Sequence, residues 1–428
     1  MDIKDIHQIF LACGSVSIDT RKIKPSTLFV AIKGERFDGN TFAAEALESG
    51  ASHVIIDDDQ YYIDTRTILV SNSLETLQQL SSYHRSYLKL PIIGLTGSNG
   101  KTTTKELMHV VLSQKFNCKA TFGNLNNHIG VPLTLLSFDE KTEIGIVEMG
   151  ANHQKEIEFL CKIAMPDFGY ITNFGKAHLE GFGGAEGVIK GKSEMYDYLR
   201  SNGKIAIINL DDPIQVQKSE GIAHCSFGYN RSEADLVIDE IAASPFVSVQ
   251  YSGTSVKSNL IGLYNANNII ASIAVGRYFG IDDKKIKTAI ENYIPENNRS
   301  QLIQKGNNEI ILDAYNANPS SMAAALDNLR QLKKPNKIAI LGDMFELGDE
   351  SLVEHKNIVG IASKDESTRF LFVGPDFFSS KSLSERLEFF ESFDRLSEYL
   401  SQNHFQNSVI LIKGSRGMAL ERVVDLLQ

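Results

Sequence analysis

Residues Pro91–Glu106 read P-I-I-G-L-T-G-S-N-G-K-T-T-T-K-E, an apolar run, then a glycine-rich loop, then hydroxyl and charged residues. The apolar run predicts a strand, and Lys101 and Thr102 begin a predicted helix. Backbone N–H groups freed by Gly97 and Gly100, with the positive end of the helix dipole, suit a polyphosphate. In such a loop the lysine contacts the β- and γ-phosphates and the following hydroxyl binds Mg²⁺. We therefore predict a bound nucleoside triphosphate.

The spacing of this loop differs from the common phosphate-loop motif. The pattern G-x-x-x-x-G-K-[ST] would require its first glycine at Leu95, whereas the chain reads T-G-x-x-G-K-T. A glycine turn without a ligand is the alternative interpretation. The strand-to-helix position of two glycines, a lysine and two hydroxyls favours the phosphate loop.

Composition restricts the class of protein. The 428 residues predict two to three domains, and 42% hydrophobic residues are ordinary for a globular chain. A net charge of −10 argues against a general nucleic-acid binder. The four scattered cysteines indicate reduced thiols, and no apolar run approaches the roughly 20 residues that span a bilayer. With a charged start that is unlike a signal peptide, these features predict a cytoplasmic protein without a membrane span.

Strand and helix patterns alternate along the first two thirds of the chain. The first 88 residues predict strands at 27–32 and 53–56 and helices at 41–49 and 73–88. Beyond them we predict strands at 92–95, 144–148, 168–172 and 204–209 and helices at 101–114, 154–163, 185–200, 265–279 and 283–292. This alternation predicts a doubly wound, mostly parallel sheet. Between residues 223 and 261, short alternating segments predict added antiparallel strands.

A second series of strands and helices follows the polar stretch 296–301. We predict strands at 309–313, 337–341, 369–373 and 409–412 and helices at 320–332, 353–363, 393–403 and 419–427. The predicted fold class is therefore α/β with three domains. They are a small α/β domain at 1–88, a central doubly wound domain with the phosphate loop at 89–300, and a Rossmann-like domain at 301–428.

Polar side chains follow the carboxyl ends of several predicted strands. In open α/β sheets, ligands bind at these ends. Glu148 ends one strand and could hold Mg²⁺, or could be a helix-capping or solvated acid. His178 could bind a metal or be a structural histidine. Lys192, in G-K-S-E, reads from composition alone as part of a solvated basic turn. Lys413 and Arg416 follow the last strand and suit a phosphate or carboxylate.

Together these motifs resemble those of the Mur ligase family of ATP-dependent amide-bond-forming enzymes, over essentially the whole chain. The quoted segments are T-G-S-N-G-K-T-T-T-K-E (96–106), V-E-M-G-A (147–151), N-F-G-K-A-H-L-E (173–180), G-K-S-E (191–194) and G-L-Y-N-A-N-N (262–268). The unusual loop spacing is a family feature. The family's usual histidine before the first asparagine of the last segment is Tyr264 here.

The resemblance implies roles for individual residues. Lys101, His178 and Lys192 would be catalytic, with Lys192 carbamylated and therefore an anionic metal ligand. Two Mg²⁺ ions would be held by Thr102, Glu148, His178 and Lys192. ATP would contact Thr96, Gly97, Ser98, Asn99, Gly100, Lys101, Thr102, Thr103, Asn265, Asn268, Arg299 and Asp313.

Two further regions imply the substrates within the family. D-T-R at 19–21 and K-G-E-R-F-D-G-N at 33–40 resemble a UDP-binding domain, although the usual serine is Thr20 here. D-A-Y-N-A-N-P-S-S at 313–321 and L-G-D-M-F-E-L-G at 341–348 resemble the members that add D-alanyl-D-alanine to a UDP-N-acetylmuramoyl-tripeptide. The implied substrate-binding residues are Asp19, Thr20, Arg21, Lys33, Asp38, Gly39, Asn40, Tyr315, Asn316, Asn318, Lys413, Ser415 and Arg416.

The implied reaction passes through an acyl phosphate on the tripeptide carboxylate, which the dipeptide amine then attacks. We expect a monomer whose domains close during turnover. The alternatives are a ligase that adds the third amino acid, a folylpolyglutamate synthase, and a nucleotide-binding scaffold without activity. The third residue of the tripeptide, L-lysine or meso-diaminopimelate, stays open.

Overall fold

Four β-sheets organise the described part of the chain. The computed structural model describes residues 1–35, 37–296, 298–382 and 386–427. Each sheet is formed within one stretch of sequence, at 15–69, 92–238, 240–261 and 301–413. Arg36, which belongs to the predicted UDP motif, lies outside the described residues. Within the described ranges, every helix is too short or too polar to cross a lipid bilayer.

The first sheet is a small parallel sheet flanked by helices. Its elements are α1 (Ile3–Ala12), β1 (Ser15–Ser17), β2 (Thr27–Val30), α2 (Ala43–Glu48), β3 (Ala51–Ile56), β4 (Thr67–Leu69) and α3 (Ser73–Leu88). The strands lie in the order β1-β2-β3-β4. Asn72 caps α3 by accepting a hydrogen bond from the Glu75 N–H at 3.0 Å. The three-residue strands β1 and β4 are too short to give a pattern, and we did not predict them.

The central segment has the predicted doubly wound sheet. Its elements are β5 (Ile92–Thr96), α4 (Lys101–Leu112), β6 (Cys118–Ala120), α5 (Gly130–Leu136), β7 (Ile144–Glu148), α6 (Glu156–Ala164), β8 (Phe168–Ile171), α7 (Leu179–Phe182), α8 (Ala185–Ser201), β9 (Ile205–Asn209), α9 (Pro213–Lys218), β10 (Ala223–Tyr229), β11 (Leu236–Ile238), β12 (Glu240–Ala243), β13 (Phe246–Tyr251), β14 (Thr254–Ile261), α10 (Ala266–Tyr278) and α11 (Asp283–Asn292). All seven strands of the large sheet are parallel, in the order β11-β10-β9-β8-β5-β7-β6.

The position of β5 determines where a ligand can bind. This strand is entirely buried and lies between β7 and β8. The chain leaves it towards β6 on one side and later returns to β8 on the other. Such a reversal opens a crevice at the carboxyl ends of the strands. The phosphate loop follows β5 directly and therefore lies in this crevice.

The prediction for residues 223–261 is correct only in part. β12, β13 and β14 form the expected antiparallel sheet. β10 and β11 instead extend the large sheet in parallel, with Ala223 opposite Ile205. Parallel neighbours need a crossover connection, which here contains α9, capped by Asp212. Six helical residues are too few to produce a recognisable helical period.

The third stretch forms a mixed sheet with helices. Its elements are β15 (Gln301–Lys305), β16 (Asn308–Asp313), α12 (Pro319–Gln331), β17 (Lys337–Gly342), α13 (Ser351–Ser363), β18 (Thr368–Val373), α14 (Pro375–Ser379), β19 (Leu387–Phe390), α15 (Phe393–Gln402), β20 (Val409–Lys413) and α16 (Val423–Leu426). The order is β15-β16-β20-β17-β18-β19, and only β15 is antiparallel to its neighbour.

The predicted helix at 419–427 is wrong in its first half. Ala419 has a left-handed backbone (φ 47°), and two short 3₁₀ turns precede α16. A left-handed residue cannot continue an α-helix, so the apolar period of this segment reflects burial of Leu420 and Val423 instead. The division into three domains at 88/89 and 300/301 stays a prediction.

Candidate active site

The loop between β5 and α4 has the backbone geometry of an anion site. Gly97 and Gly100 have φ values of 138° and 80°, which side chains with a Cβ rarely adopt. A Cβ at Gly97 would also lie 1.9 Å from the Thr172 Oγ1. α4 begins directly after Gly100 without a side-chain cap in the described structure, and the first N–H groups of a helix have no intrahelical partners. The loop can therefore present N–H groups to a phosphate.

Lys101 lies inside this loop. Its Nζ donates to the Gly97 carbonyl at 2.6 Å and is 3.4 Å from the Ser98 carbonyl. Burial lowers the pKa of Lys101; the Glu148 carboxylate opposes this effect and Arg299 adds to it. An added phosphate would supply the negative partner that this partly desolvated ammonium lacks.

Glu148 is held in place at the end of β7. Its Oε2 accepts from the Thr102 Oγ1 at 3.0 Å, and its Oε1 accepts from the Asn126 Nδ2 at 2.8 Å. Lys105 Nζ is 4.0 Å from Oε2. The carboxylate is 1% exposed, so the alternative of a solvated acid is wrong, and it caps no helix in the described structure. The predicted metal ligands Thr102 and Glu148 are thus already in contact.

His178 ends the loop after β8 and pairs with a residue from the third stretch of the chain. Its Nδ1 lies against the Glu346 carboxylate. Glu346 belongs to the L-G-D-M-F-E-L-G segment after β17, and the contact with His178 lowers the pKa of its carboxyl. Sequence reasoning did not identify Glu346.

Lys192 lies on α8 and is completely buried, so the interpretation as a solvated basic turn is wrong. Its Nζ is 3.3 Å from the Ala151 carbonyl and 5.0 Å from the centre of the Phe182 ring. No carboxylate in the described ranges lies within 4.0 Å of it. Burial, with a smaller contribution from Lys101, places the pKa of Lys192 well below its usual value. Burial therefore disfavours the charged form of this amine.

Two predicted asparagines connect α10 to the phosphate loop. Asn268 accepts from the Thr104 Oγ1 at 3.0 Å and donates to the Asn265 Oδ1 at 2.9 Å. A Cβ at Gly100 would lie 2.5 Å from Asn268 Oδ1. Asn265 in turn donates to the Ile261 carbonyl at 2.8 Å. These bonds fix the start of α10 against α4.

Strand register brings Asp313 and Lys413 together at the edge of the third stretch. They are opposite each other on β16 and β20, and Lys413 Nζ is 2.6 Å from the Asp313 carboxylate. Asp313 also accepts from the Ser300 N–H at 3.2 Å. Arg299 lies over the Tyr315 ring, 3.5 Å from its centre. These residues face the phosphate loop across a cleft.

The cleft between the central and third stretches has a volume of about 710 Å³. Direct contacts cross it: Asn318 Nδ2 donates to Asn99 Oδ1 at 2.7 Å, and Lys176 Nζ is 2.6 Å from Glu354. The predicted residues on its wall are Ser98, Asn99, Gly100, Lys101, Thr102, Thr103, Glu148, His178, Asn265, Asn268, Arg299, Asp313, Tyr315, Asn316, Asn318 and Lys413.

Other predicted residues lie away from this wall. Thr96 and Gly97 are behind the loop, and Lys192 is behind Ala151. The buried Ser415 accepts from the Phe345 N–H at 2.8 Å, and the exposed Arg416 pairs with Glu421 at 2.9 Å. The left-handed turn at Ala419 brings Glu421 back to this arginine.

None of the described cleft-lining residues comes from the first 88 residues. Asp19 and Arg21 form an exposed ion pair at 2.8 Å, next to Thr20. Asp38 pairs with Lys33 at 3.2 Å. Asp38 also accepts from the Asn40 N–H at 2.9 Å, and the buried Asn40 donates to Asp57 at 2.8 Å, so part of this motif is structural. Gly39 is buried, and a Cβ there would lie 2.5 Å from the Ile32 carbonyl oxygen.

The loop at 121–128 contains site residues that we did not predict. Asn126, Asn127 and His128 line the cleft, and Thr121 Oγ1 accepts from the Glu148 N–H at 2.9 Å. The available signal was the amide-rich run G-N-L-N-N-H. It follows the three-residue strand β6, which has no detectable pattern.

A phosphate loop on a parallel sheet, facing a second α/β sheet across a polar cleft, defines a nucleotide-binding α/β protein. The chain matches the catalytic domain of the Mur ligase family over residues 14–85, the Mur ligase middle domain over 95–276 and the Mur ligase glutamate ligase domain over 298–416. The chain belongs to the Mur ligase family. This confirms the predicted family and the prediction of a ligase.

Individual relatives match over nearly their full length. The chain is 35% identical to the UDP-N-acetylmuramoyl-tripeptide–D-alanyl-D-alanine ligase of Bacillus subtilis, covering 96% of this chain and 93% of the relative. It is 35% identical to the Escherichia coli protein of the same name, with 97% and 93% covered.

Solved structures are similar in fold. A MurF structure from Acinetobacter baumannii superimposes with a TM-score of 0.88 at 29% identity, covering 99% of this chain and 98% of the other. The MurF ligase of Thermotoga maritima in complex with ADP gives 0.85 at 28% identity, with 97% of each chain covered. These similarities confirm the predicted α/β fold.

Proposed function

We propose that the chain is an ATP-dependent ligase that joins D-alanyl-D-alanine to UDP-N-acetylmuramoyl-tripeptide. The products are the UDP-linked pentapeptide precursor of peptidoglycan, ADP and phosphate. The similarity to curated ligases of that name over 96% of the chain carries this proposal. The segment 313–321, which resembles the dipeptide-adding members, supports it because Asn318 lies across the cleft from the phosphate loop at Asn99.

The reaction requires activation because a free carboxylate does not condense with an amine in water. The γ-phosphoryl group of ATP moves to the terminal carboxylate of the tripeptide and gives an acyl phosphate and ADP. The dipeptide amine attacks the acyl carbon, and phosphate leaves from the tetrahedral intermediate. The protein contributes mainly position and charge neutralisation. Lys101 is placed to stabilise the β- and γ-phosphates.

The residues present fit divalent magnesium. Thr102 and Glu148 supply the hard oxygen donors that Mg²⁺ prefers, and both line the cleft beside the phosphate loop. Within the described ranges, no group of three His, Cys, Asp and Glu side chains forms a closed metal site. This agrees with an ion bound by one or two protein groups and by substrate phosphates. Bound Mg²⁺ would neutralise charge on the phosphates and the carboxylate.

A carbamate on Lys192 would complete a second ion site with His178. The complete burial of Lys192, which lowers the pKa of its amine, supports this part of the proposal because only an unprotonated nitrogen attacks CO₂. The N–C bond forms as a proton leaves the amine, and the product is an anion. Such an anion would replace the carboxylate that is missing around this nitrogen.

Substrate contacts are proposed on both sides of the cleft. The UDP group would bind Asp19, Thr20, Arg21, Lys33, Asp38, Gly39 and Asn40. The incoming dipeptide and the nucleotide would contact Asp313, Tyr315, Asn316, Asn318, Lys413, Ser415 and Arg416. Asn265, Asn268 and Arg299 would lie on the adenine and phosphate side. We also propose that the protein is a monomer. We propose that it acts in the cytoplasm because ATP and a UDP-linked precursor are its substrates.

Phosphate release with a panel of amines tests the function. The full chain with ATP, Mg²⁺ and UDP-N-acetylmuramoyl-tripeptide should release phosphate when D-alanyl-D-alanine is added. Neither D-alanine nor the amino acids L-lysine and meso-diaminopimelate should replace the dipeptide. Release with UDP-N-acetylmuramoyl-dipeptide and a single amino acid would instead identify a third-residue ligase, and no release with any pair would contradict ligase activity.

A further inference from the structure

Glu346 and His178 meet across the cleft through more than one contact. The Glu346 carboxylate pairs with the His178 Nδ1. The Glu346 carbonyl also accepts from the Glu180 N–H at 3.4 Å, at the start of α7. A Cβ on Gly348 would lie 3.0 Å from the Glu180 side chain. The segment after β17 is therefore closely packed against the end of the His178 loop.

A histidine that binds a metal through one ring nitrogen usually donates its other N–H to a carboxylate or carbonyl. That bond determines the tautomer and the rotation of the ring. The buried Nδ1 of His178 lies against the Glu346 carboxylate and has no other hydrogen-bond partner in the described structure, and the ring lines the cleft. Nε2 is then the nitrogen left for an ion.

We propose that Glu346 is a positioning residue that holds His178 as a metal ligand and makes its orientation depend on the third stretch of the chain. The inference rests on the proposed function, because His178 is a ligand only in that proposal. Glu346 follows β17, whereas His178 follows β8, so the ligand is fully oriented only when the two stretches lie against each other. Metal binding and closure of the cleft become coupled.

The structure contains a matched control for this proposal. Lys176, two residues before His178, pairs with Glu354 at 2.6 Å, and Glu354 is on α13 of the third stretch. This pair also bridges the cleft, but Lys176 is a cation and cannot be a metal ligand. Substitution of Glu354 removes a bridge of the same kind without affecting the orientation of His178.

The test measures how tightly Mn²⁺ binds to the full chain in the presence of saturating ADP. The concentration of free Mn²⁺ is read from its electron paramagnetic resonance signal. Glu346→Ala should weaken Mn²⁺ affinity by about 10-fold to 100-fold, the range for loss of such a supporting carboxylate. Glu346→Gln retains an acceptor oxygen and should lose less affinity. Glu354→Ala should bind Mn²⁺ as the wild type does. Thermal unfolding of each variant reports whether it is folded.

Each result decides the inference. Wild-type affinity in both Glu346 variants would overturn it, and so would an equal loss in Glu354→Ala, because closure alone would then explain the effect. If Glu346→Ala does not fold, a loss in Glu346→Gln without a loss in Glu354→Ala supports the proposal. Phosphate release by the wild type distinguishes failure of this inference from failure of the proposed function. Turnover with unchanged Mn²⁺ binding in the variants rejects only this inference, whereas absence of turnover rejects the proposed function.

Discussion

Glu148 and Lys192, beside the cleft in the central segment, are buried, whereas Arg21 and Lys33 of the UDP-like motifs in the first 88 residues are exposed. Glu148 is 1% exposed and Lys192 is 0% exposed. Asp19 and Arg21 instead form a surface pair in which the arginine side chain is 86% exposed. Burial of a charged group costs several kcal/mol unless it is well paired, whereas a surface ion pair contributes roughly 0–1 kcal/mol. Glu148 therefore depends on its hydrogen bonds to Thr102 and Asn126, whereas the Arg21–Asp19 pair contributes little to the fold and can be exchanged for a contact with a ligand.

This contrast separates two kinds of mutational effect. Removal of Lys101 or Lys192, the central lysines beside the cleft, should change the chemical step. Removal of an exposed cation near the N-terminus should change substrate affinity and leave the fold and the chemical step as they are. The predictions below test that separation.

Lys101→Ala should have the largest effect. The lysine stabilises charge that develops on the transferred phosphoryl group, and loss of one such donor costs about 10²–10³ in kcat. The measurement is ATP-dependent phosphate release with the tripeptide and dipeptide substrates. Lys115→Ala, after the opposite end of α4, should keep wild-type turnover. Near-normal release by Lys101→Ala would contradict the assignment of the phosphate loop.

Lys192→Ala should reduce turnover by about 10²-fold, comparable to loss of a metal-supporting group. Short carboxylic acids such as formate or acetate should partly restore it, because they can replace the missing anion. Lys190→Ala is the matched control, since this lysine is exposed on the same helix. Normal activity of Lys192→Ala without any effect of added acid would reject the carbamate.

The sequence predicted those parts of the site that depend on local backbone. Gly97, Gly100 and Lys101 are neighbours in the chain and the lysine contacts the loop itself, so a short motif is enough to predict the loop. The long helices and strands were predicted because their apolar period also lies within one stretch of the chain. The contact between Asn126 and Glu148 depends on how β6 and β7 pair, which no local pattern describes.

Residues that act across the cleft were the hardest to predict. Glu346 approaches His178 only because two separate sheets face each other; its segment was recognised as a motif, but the motif does not show which residue it faces. The ligand contact of Arg416 stays a prediction. The left-handed turn at Ala419 gives this arginine Glu421 as a partner, and its guanidinium lies 6.0 Å from the centre of the Tyr315 ring on the cleft wall.

Arg21→Ala should affect substrate affinity more than catalysis. Loss of a charged contact to the UDP-linked substrate should raise its KM roughly tenfold, since a hydrogen bond to a charged group contributes about 1.5–3 kcal/mol. The kcat value should change little because the residue is far from the cleft wall. Arg66→Ala is a close control: Arg66 pairs with Asp64 at 2.7 Å and bonds its carboxylate through the backbone N–H, as Arg21 does with Asp19. An equal change of KM in both variants would remove Arg21 from the substrate site.

His7 is a buried titratable group in the first 88 residues, where the UDP-like motifs have exposed charges. Its substitution should therefore affect stability and not substrate binding. Its Nε2 is 3.0 Å from His84 Nδ1, and the His84 Nε2 lies 3.0 Å from the Phe138 carbonyl. When His84 donates to that carbonyl, its Nδ1 accepts from His7 and the His84 ring is neutral. The buried His7 Nδ1 has no hydrogen-bond partner in the described structure, so a proton there would be unsatisfied.

Burial, with a contribution from His84, lowers the pKa of His7 from 6.5 to about 4. Between these values the unfolded chain binds a proton that the folded chain does not, so stability falls as the pH drops from about 6.5 towards 4. We expect the unfolding temperature to decrease over that pH range. His7→Gln keeps a donor towards His84 but cannot be protonated, so its decrease should be smaller than that of the wild type, while turnover at pH 7.5 should not change. Equal pH dependence of the two proteins would show that this buried histidine pair does not control acid stability, and a loss of turnover would link the first helix to the cleft.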